Sequence, residues 1–112
     1  MKITKEQGEL LRLDGYKQAI VMFHIDLEGE NITPDQLPYL VDLFYKQISK
    51  GDYGFPFALS GRMPVWAFAT LGHESHPAKA VGCYDPRLQA VVITQSHDTS
   101  DHLKVGEMLY FS

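Results

Sequence analysis

The sequence has little cysteine: Cys83 is the single one in 112 residues. One thiol excludes an intramolecular disulfide framework and a zinc site built on cysteines. The chain also lacks an apolar run of about 18 residues, the length that a membrane-spanning helix needs. Its first residues lack the apolar stretch of a signal peptide. Together these features predict a cytoplasmic protein with no membrane partner.

Basic residues are also scarce. Ten Lys and Arg residues stand against fourteen Asp and Glu residues, which gives a net charge of −4. This balance argues against a general polyanion binder with a basic face, and we expect no DNA partner. Residues 60–88 are the exception, with three basic and two acidic groups. An anionic ligand would favour this middle segment.

Length and composition predict a single domain over residues 1–112. Hydrophobic residues make up 45% of the chain and charged residues 21%, as is usual for folded globular proteins. A domain of this size buries a modest core. Self-association would add to its stability, so we expect a homo-oligomer.

Hydrophobic patterns and turn residues predict an α/β domain. The helix that starts at Thr33 carries Pro34 and Gln36, the pattern of a capping box. The order of elements predicts a small open α/β unit followed by a C-terminal antiparallel meander. The expected strands cover residues 16–25, 55–61, 78–84, 89–95 and 104–111, and the expected helices cover residues 33–49 and 63–75.

Ser60, Gly61 and Arg62 form a candidate ligand-binding turn, here called the SGR turn. It lies where a predicted strand passes into a helix, and helix N-termini and strand carboxyl ends attract phosphate groups. Arg62 would add a bidentate contact to a phosphate oxygen. The alternative is an ordinary turn with a solvated arginine.

His73 and His76 are spaced i, i+3 and would share one helical face. Imidazoles with a nearby carboxylate suit a transition metal, but the spacing is not that of the HExxH zinc motif. The alternative is a helix end at which histidine interacts with the helix dipole. His97 follows the next strand and would offer a third imidazole if the strand ends converge.

Asp85 and Arg87 flank Pro86 in a predicted hairpin turn, here called the DPR turn. Asp85 is a candidate metal ligand or general base, and Arg87 would stabilise charge at a phosphoryl group. The alternative is a local turn with a surface ion pair. His24 falls within a strand pattern and is expected to be a core histidine, whereas His102 is expected to be solvated.

In their order along the chain, these motifs resemble a known family. The chain carries SGR before an apolar helix, then HESHPAKAV, YDPRLQAVV, QSH and a terminal VGE within residues 59–107. This arrangement resembles the small stand-alone CRISPR-associated ring nucleases of the Csx3 family.

The resemblance implies a Rossmann-like α/β fold related to the CRISPR-associated Rossmann-fold sensors, in dimers, tetramers or higher homo-oligomers. It implies binding of cyclic tetra-adenylate, the second messenger of type III CRISPR defence. Cleavage of that ring with Mn²⁺ would switch the response off, and short adenosine-tailed RNA is a second implied substrate. The chain has no phosphate-binding kinase motif, so it resembles the form without a kinase-like domain.

Carried over to this sequence, the resemblance implies a set of site residues. The expected groups are catalytic His76, Asp85 and Arg87, ligand-binding Ser60, Gly61 and Arg62, and metal ligands His73, Asp85 and His97. The histidines and the DPR turn are expected to be two halves of one site, brought together by the strand between them. We also expect the SGR turns of paired subunits to hold the ring, and the histidine-bearing part of another dimer to complete the cut. Two alternatives stay open: a module that binds the ring without cutting it, and a metal enzyme for an unrelated small molecule.

Overall fold

The chain folds into six strands and two α-helices, joined by short 3₁₀ turns at Pro34–Gln36 and Lys50–Gly54. A computed structural model describes residues 1–100 and 102–111, and the elements are those of the described residues. They are β1 (Lys2–Leu11), β2 (Lys17–Asp26), α1 (Leu37–Gln47), β3 (Pro56–Gly61), α2 (Val65–Glu74), β4 (Ala80–Asp85), β5 (Ala90–Ser96) and β6 (Met108–Tyr110).

The strands form a closed barrel in the order β1-β2-β3-β4-β5-β6. β2, β3 and β4 run parallel, and the other neighbours are antiparallel. The prediction of a Rossmann-like fold is therefore wrong. A Rossmann sheet is open and mostly parallel, with helices on both faces, whereas this sheet curls until β6 meets β1. Both helices pack on the outside of the barrel.

β1 is the element that the sequence analysis missed. It pairs antiparallel with β2 over its full ten residues. Its middle residues, 6–9, are exposed on both faces. With no buried face in its centre, the strand shows no apolar alternation, which is the usual sequence signal for a strand.

β2 is buried on both faces, which explains its continuous apolar run. Val21 and Phe23 point outward into a cluster with the helices, and Ile20 and Met22 point into the barrel. The outer cluster centres on aromatic rings: the Phe23 ring lies 4.9 Å from those of both Phe44 and Phe57. A strand covered on both sides needs apolar residues at every position.

The other element predictions are confirmed with small shifts of their ends. The Thr33 N–H donates to the Gln36 side-chain oxygen at 2.8 Å, so the predicted capping contact forms. β4, β5 and β6 form the predicted antiparallel meander, although β6 keeps only three residues. No helix of the described residues is long and apolar enough to cross a membrane.

Candidate ligand-binding and catalytic residues

The SGR turn ends β3, directly beside the end of β2. Ser60 is the register partner of His24, and Gly61 is the partner of Ile25. A Cβ atom at Gly61 would lie 2.4 Å from the carbonyl oxygen of Ile25, closer than side chains ever approach a backbone oxygen. Glycine is therefore required here, because the two strand ends approach each other too closely for a side chain.

A cavity of about 620 Å³ opens at these two strand ends. This volume lies in the range of small-ligand sites. In parallel sheets, ligands commonly bind at the carboxyl ends of the strands, and β2 and β3 are parallel. The wall on the β3 side is the SGR turn, and the opposite wall comprises His24, Ile25, Asp26, Leu27, Gly29, Glu30 and Asn31.

The loop that forms the second wall is held by local contacts. The N–H of Glu28 donates to the Asp26 carboxylate at 2.7 Å, and the N–H of Glu30 donates to the Leu27 carbonyl at 3.0 Å. The N-terminal amino group pairs with Glu28 at 3.2 Å. Asp26 and Glu30 line the same cavity as Arg62, so its lining carries both acidic and basic groups.

His24 is a lining residue that the sequence analysis did not assign to the site. Its side chain is 42% exposed, and its Nε2 lies 3.5 Å from a Glu6 carboxylate oxygen. The expectation of a core histidine is therefore wrong. The sequence signal was its place near the end of a strand, where the next parallel strand carries Ser60.

The DPR turn lies at the same end of the barrel, after β4. The N–H of Arg87 donates to Asp85 Oδ1 at 2.8 Å, and Arg87 Nη2 lies 3.4 Å from Asp85 Oδ2. A hydrogen bond from the Arg87 side chain, together with one from the Arg87 backbone N–H, lowers the pKa of Asp85 below its usual value. Asp85 is therefore a carboxylate at neutral pH, with the guanidinium of Arg87 extended into solvent beside it.

A second cavity, of about 640 Å³, adjoins the DPR turn. Apart from Asp85 and Arg87 its lining is mainly apolar, so a flat apolar group could rest there within reach of the carboxylate. The other lining residues are Val65, Phe68, Cys83, Tyr84, Pro86 and Val92.

The histidines lie at the opposite end of the barrel. His97 follows β5, which runs antiparallel to β4, so it lies beside the start of β4. The rings of His76 and His97 are 4.7 Å apart and nearly perpendicular, and His97 Nε2 lies 3.0 Å from the His76 carbonyl oxygen. His73 is exposed in the last turn of α2. His97 therefore lies beside His76, the arrangement in which it can offer a further imidazole.

The histidines and the DPR turn do not form one site within a single chain. Residues 80–84 of β4 lie between the histidine end and Asp85, a separation of about 17 Å at the usual rise of a strand. The expectation that this strand brings the two groups together is wrong, because an extended strand holds its ends apart.

The predicted metal ligands do not fit a metal ion within one chain. Asp85 lies at one end of β4, while His73 and His97 lie at the other. Among residues 1–100 and 102–111, no three His, Cys, Asp or Glu side chains are grouped so that they could hold an ion. Any site that uses both ends of the barrel needs ligands from more than one chain.

The comparison with known families bears directly on these motifs. The family described as CRISPR-associated protein (Cas_csx3) matches residues 25–110. The chain belongs to this Csx3 family. The resemblance inferred from residues 59–107 is confirmed, and the matched range includes both turns and the candidate site histidines His73, His76 and His97. For this Csx3 protein, a role associated with CRISPR systems follows from the family.

One relative of this Csx3 protein is an uncharacterized protein of Aquifex aeolicus (strain VF5). The two are 45% identical over 51 residues, which cover 46% of this chain and 44% of the relative. The match thus spans less than half of either protein.

Proposed function

We propose that this protein binds cyclic tetra-adenylate and cleaves it, so that a type III CRISPR response ends. The observation that carries the proposal is the cavity at the carboxyl ends of β2 and β3, which the SGR turn lines on one side. Membership of a CRISPR-associated family supports the same conclusion. Short adenosine-tailed RNA, which presents the same bases and phosphates, is a proposed second substrate.

The cationic groups suit a ligand of linked phosphates. Arg62 and Arg87 are both exposed, and both follow strands that end at the same edge of the barrel. Planar guanidinium groups bind phosphate oxygens in a bidentate manner. A ring of four nucleotides exceeds one cavity, whereas a two-fold pair of chains would offer two matching cavities to its two halves. We therefore propose a homodimer as the ligand-binding unit.

Cleavage, in this proposal, needs a further chain. Asp85 and Arg87 lie at the edge that holds the ligand, and His76 lies about 17 Å away at the far end of β4. We propose that the histidine end of another dimer completes the reacting site, in a tetramer or a larger assembly. Arg87 stabilises charge on the phosphoryl oxygens, and His76 moves a proton, a role that imidazole fills near neutral pH.

Two routes of cleavage leave different ends. If the ribose 2′-hydroxyl attacks phosphorus, the bond to the 5′-oxygen breaks and that oxygen takes up a proton. The products are then a 2′,3′-cyclic phosphate and a 5′-hydroxyl. If water attacks, one P–O bond forms, one breaks, and a phosphomonoester remains. The identity of the product ends therefore distinguishes the two nucleophiles.

Mixing two inactive variants tests the assembly of the site from separate chains. We expect His76→Ala and Arg87→Ala each to lose cleavage of labelled cyclic tetra-adenylate. A mixture of the two should regain activity well above either alone, because an intact histidine end can then meet an intact DPR turn. The measurement is conversion of the ring at equal total protein concentration.

The control is a mixture of His76→Ala with a His76→Ala,Arg87→Ala double variant, which contains no intact histidine end. This mixture should stay inactive. Activity in the first mixture that does not exceed the control would contradict the proposal that the two ends come from different chains.

The separation of the two groups also supports a second function, that of a module that binds the ring without cutting it. In that case the histidine pair is structural. Incubation of the wild type with labelled ring in Mn²⁺, and again with EDTA, distinguishes the two. Cleavage in Mn²⁺ that EDTA abolishes supports the nuclease with Mn²⁺ as its cofactor, held by ligands from more than one chain. Ring that is bound but returned intact in both supports the module.

A further inference from the structure

His24 and Ser60 lie side by side on neighbouring strands, on the face that lines the inside of the barrel. Ile20 and Met22 belong to the cluster inside the barrel, and His24 follows them in the alternation of β2. Ala58 belongs to the same inner cluster, and Ser60 follows it in β3. His24 and Ser60 are register partners on parallel strands, which are spaced about 4.8 Å apart. An imidazole therefore lies next to the hydroxyl group of the SGR turn.

Glu6 places a carboxylate on the other side of His24. It is the register partner of Met22, so it shares the inner face of the sheet. Its carboxylate oxygen lies 3.5 Å from His24 Nε2. Within residues 1–100 and 102–111, this is the one polar side-chain contact of His24. One ring nitrogen is therefore paired with Glu6, and the other, Nδ1, remains for a ligand in the cavity that His24 lines.

The charged groups around this imidazole leave a shortage of cations for a ligand with several phosphates. Among the described residues, Arg62 is the one Lys or Arg side chain that lines the cavity, whereas Asp26 and Glu30 add two carboxylates. Glu6 adds a third carboxylate from β1. Glu28, on the same loop as Asp26, is paired with the N-terminal amino group. A bound phosphodiester therefore needs a further positive group, and an imidazole supplies one when it takes up a proton.

A protonated imidazole has the donors that this position requires. Both of its ring nitrogens carry a hydrogen, so Nε2 can donate to Glu6 while Nδ1 donates to a phosphate oxygen. Hydrogen bonds between charged partners are about twice as strong as those between neutral ones. A phosphate on one side of the ring and a carboxylate on the other both favour the charged form. Binding of a phosphate and uptake of a proton at His24 therefore favour each other.

We propose that His24 is a further ligand-binding residue of this cavity, where its imidazole takes up a proton as a phosphate group binds between it and Arg62. Glu6 orients the ring through Nε2. The inference rests on the proposed function for the identity of the ligand, because a phosphodiester with any base would be bound in this way. It adds to the site a residue that lies outside the SGR and DPR turns.

Substitution of His24 tests its contribution to affinity. His24→Gln keeps a side chain that donates hydrogen bonds but carries no charge. We expect its Kd for cyclic tetra-adenylate, measured in EDTA at about pH 6, to be about tenfold above that of the wild type. Because one proton binds with the ligand, the wild-type Kd should rise by up to about tenfold per pH unit between about pH 6 and pH 8. The Kd of His24→Gln should change little over this range, since a phosphodiester keeps its charge.

The matched control is His102→Gln, which removes an exposed imidazole that lines a different cavity. Its affinity for the ring should follow that of the wild type at every pH. Urea unfolding of both variants shows that they are folded under the conditions of the titration. A folded His24→Gln variant with the same Kd and the same pH dependence as His102→Gln overturns the proposal.

The NMR signals of the histidine rings give a second readout, which separates the role of His24 from the identity of the ligand. The Cε1–H signal of His24 is assigned by its loss in His24→Gln. We expect its titration midpoint to move to higher pH when the ring binds, while the midpoint of His102 stays in place. Linear tetra-uridylate, which has the same linkages without adenine, should move the His24 signal in the same direction at higher concentration.

The two ligands distinguish failure of this inference from failure of the proposed function. If tetra-uridylate moves the His24 midpoint but the ring does not bind, cyclic tetra-adenylate is the wrong ligand and the role of His24 stands. If the ring binds and the His24 midpoint stays in place, the role of His24 is wrong and the proposed function stands. A midpoint that neither ligand moves overturns the assignment of His24 to the ligand.

Discussion

Arg62 is a residue whose proposed role in ligand binding can be tested separately from the stability of the fold. Its side chain is exposed, and within the described residues it makes no ion pair. It nevertheless lines the cavity at the strand ends. A guanidinium in that position can act on a ligand without contributing to the fold.

Substitution of Arg62 by alanine should therefore weaken ligand binding and leave folding unchanged. Hydrogen bonds to charged groups contribute about 1.5–3 kcal/mol, so we expect the Kd for cyclic tetra-adenylate to rise about tenfold to a hundredfold. The free energy of unfolding should stay within about 0.5 kcal/mol of the wild type. Calorimetric titration and urea unfolding give the two quantities.

The matched control for Arg62→Ala is Lys46→Ala, which removes an exposed cation at the end of α1, away from the cavity. Its affinity for the ring should equal that of the wild type. An Arg62→Ala variant that binds as tightly as Lys46→Ala would show that the SGR turn is an ordinary turn.

At the ends of β2 and β3, the two backbones lie too close together for a side chain at Gly61. Gly61→Ala would force a methyl group to within 2.4 Å of the Ile25 carbonyl oxygen. The strand ends would have to separate, and we expect a loss of about 1–3 kcal/mol in the free energy of unfolding. Gly51→Ala is the control, since a Cβ there meets no atom within 4 Å. Equal urea midpoints for the two variants would contradict this account.

A second link between elements joins β1 to the 3₁₀ turn Lys50–Gly54. Asp52 is buried; its carboxylate accepts from Lys5 Nζ at 2.8 Å and from the Ser49 N–H at 2.8 Å. Burial alone would raise the pKa of Asp52, but the hydrogen bonds from Lys5 and Ser49 outweigh it, and the pKa is lowered. The ionised carboxylate therefore stabilises the folded state.

Removal of the Lys5 ammonium group should lower the free energy of unfolding. Lys5→Met leaves a buried carboxylate with fewer donors, and we expect a loss of about 1.5–3 kcal/mol in the free energy of unfolding at pH 7. The pKa of Asp52 is lower in the folded protein than in the unfolded chain. The stabilisation that the ionised carboxylate provides is therefore complete above about pH 4, and it is lost as the pH falls through the folded pKa. The difference between wild type and Lys5→Met should shrink accordingly in acid.

Urea unfolding at neutral and acidic pH measures this change, with Lys46→Met as a control that removes an exposed lysine. A difference between wild type and Lys5→Met that stays constant as the pH falls would show that the aliphatic part of Lys5, rather than its charge, supports the turn.

At the scale of the whole molecule, the barrel decides which motifs can act together. The SGR and DPR turns lie at the same end of the barrel because β2, β3 and β4 are parallel. The histidines lie at the other end because α2 returns the chain to the start of β4, and β5 runs back to the same end. One chain therefore carries the two halves of the proposed cleavage site at opposite ends of the barrel, which is why the proposed chemistry requires an assembly of several chains.

The sequence by itself determined the local structure. Capping residues and helical periodicity located α1, alternation and turn residues located the β4–β5 hairpin, and motif order identified the family. These signals depend on contacts between residues close in the chain, or on burial that repeats with the period of the element.

Only the tertiary structure decided the closure of the sheet, the presence of β1 and the distance between the site residues. β1 left no pattern because its centre is exposed on both faces. Closure depends on Leu11 meeting Tyr110, nearly a hundred residues later in the chain. The separation of His76 from Asp85 follows from the extended backbone of β4. Residues that are close in the sequence lie far apart in space when an extended strand separates them.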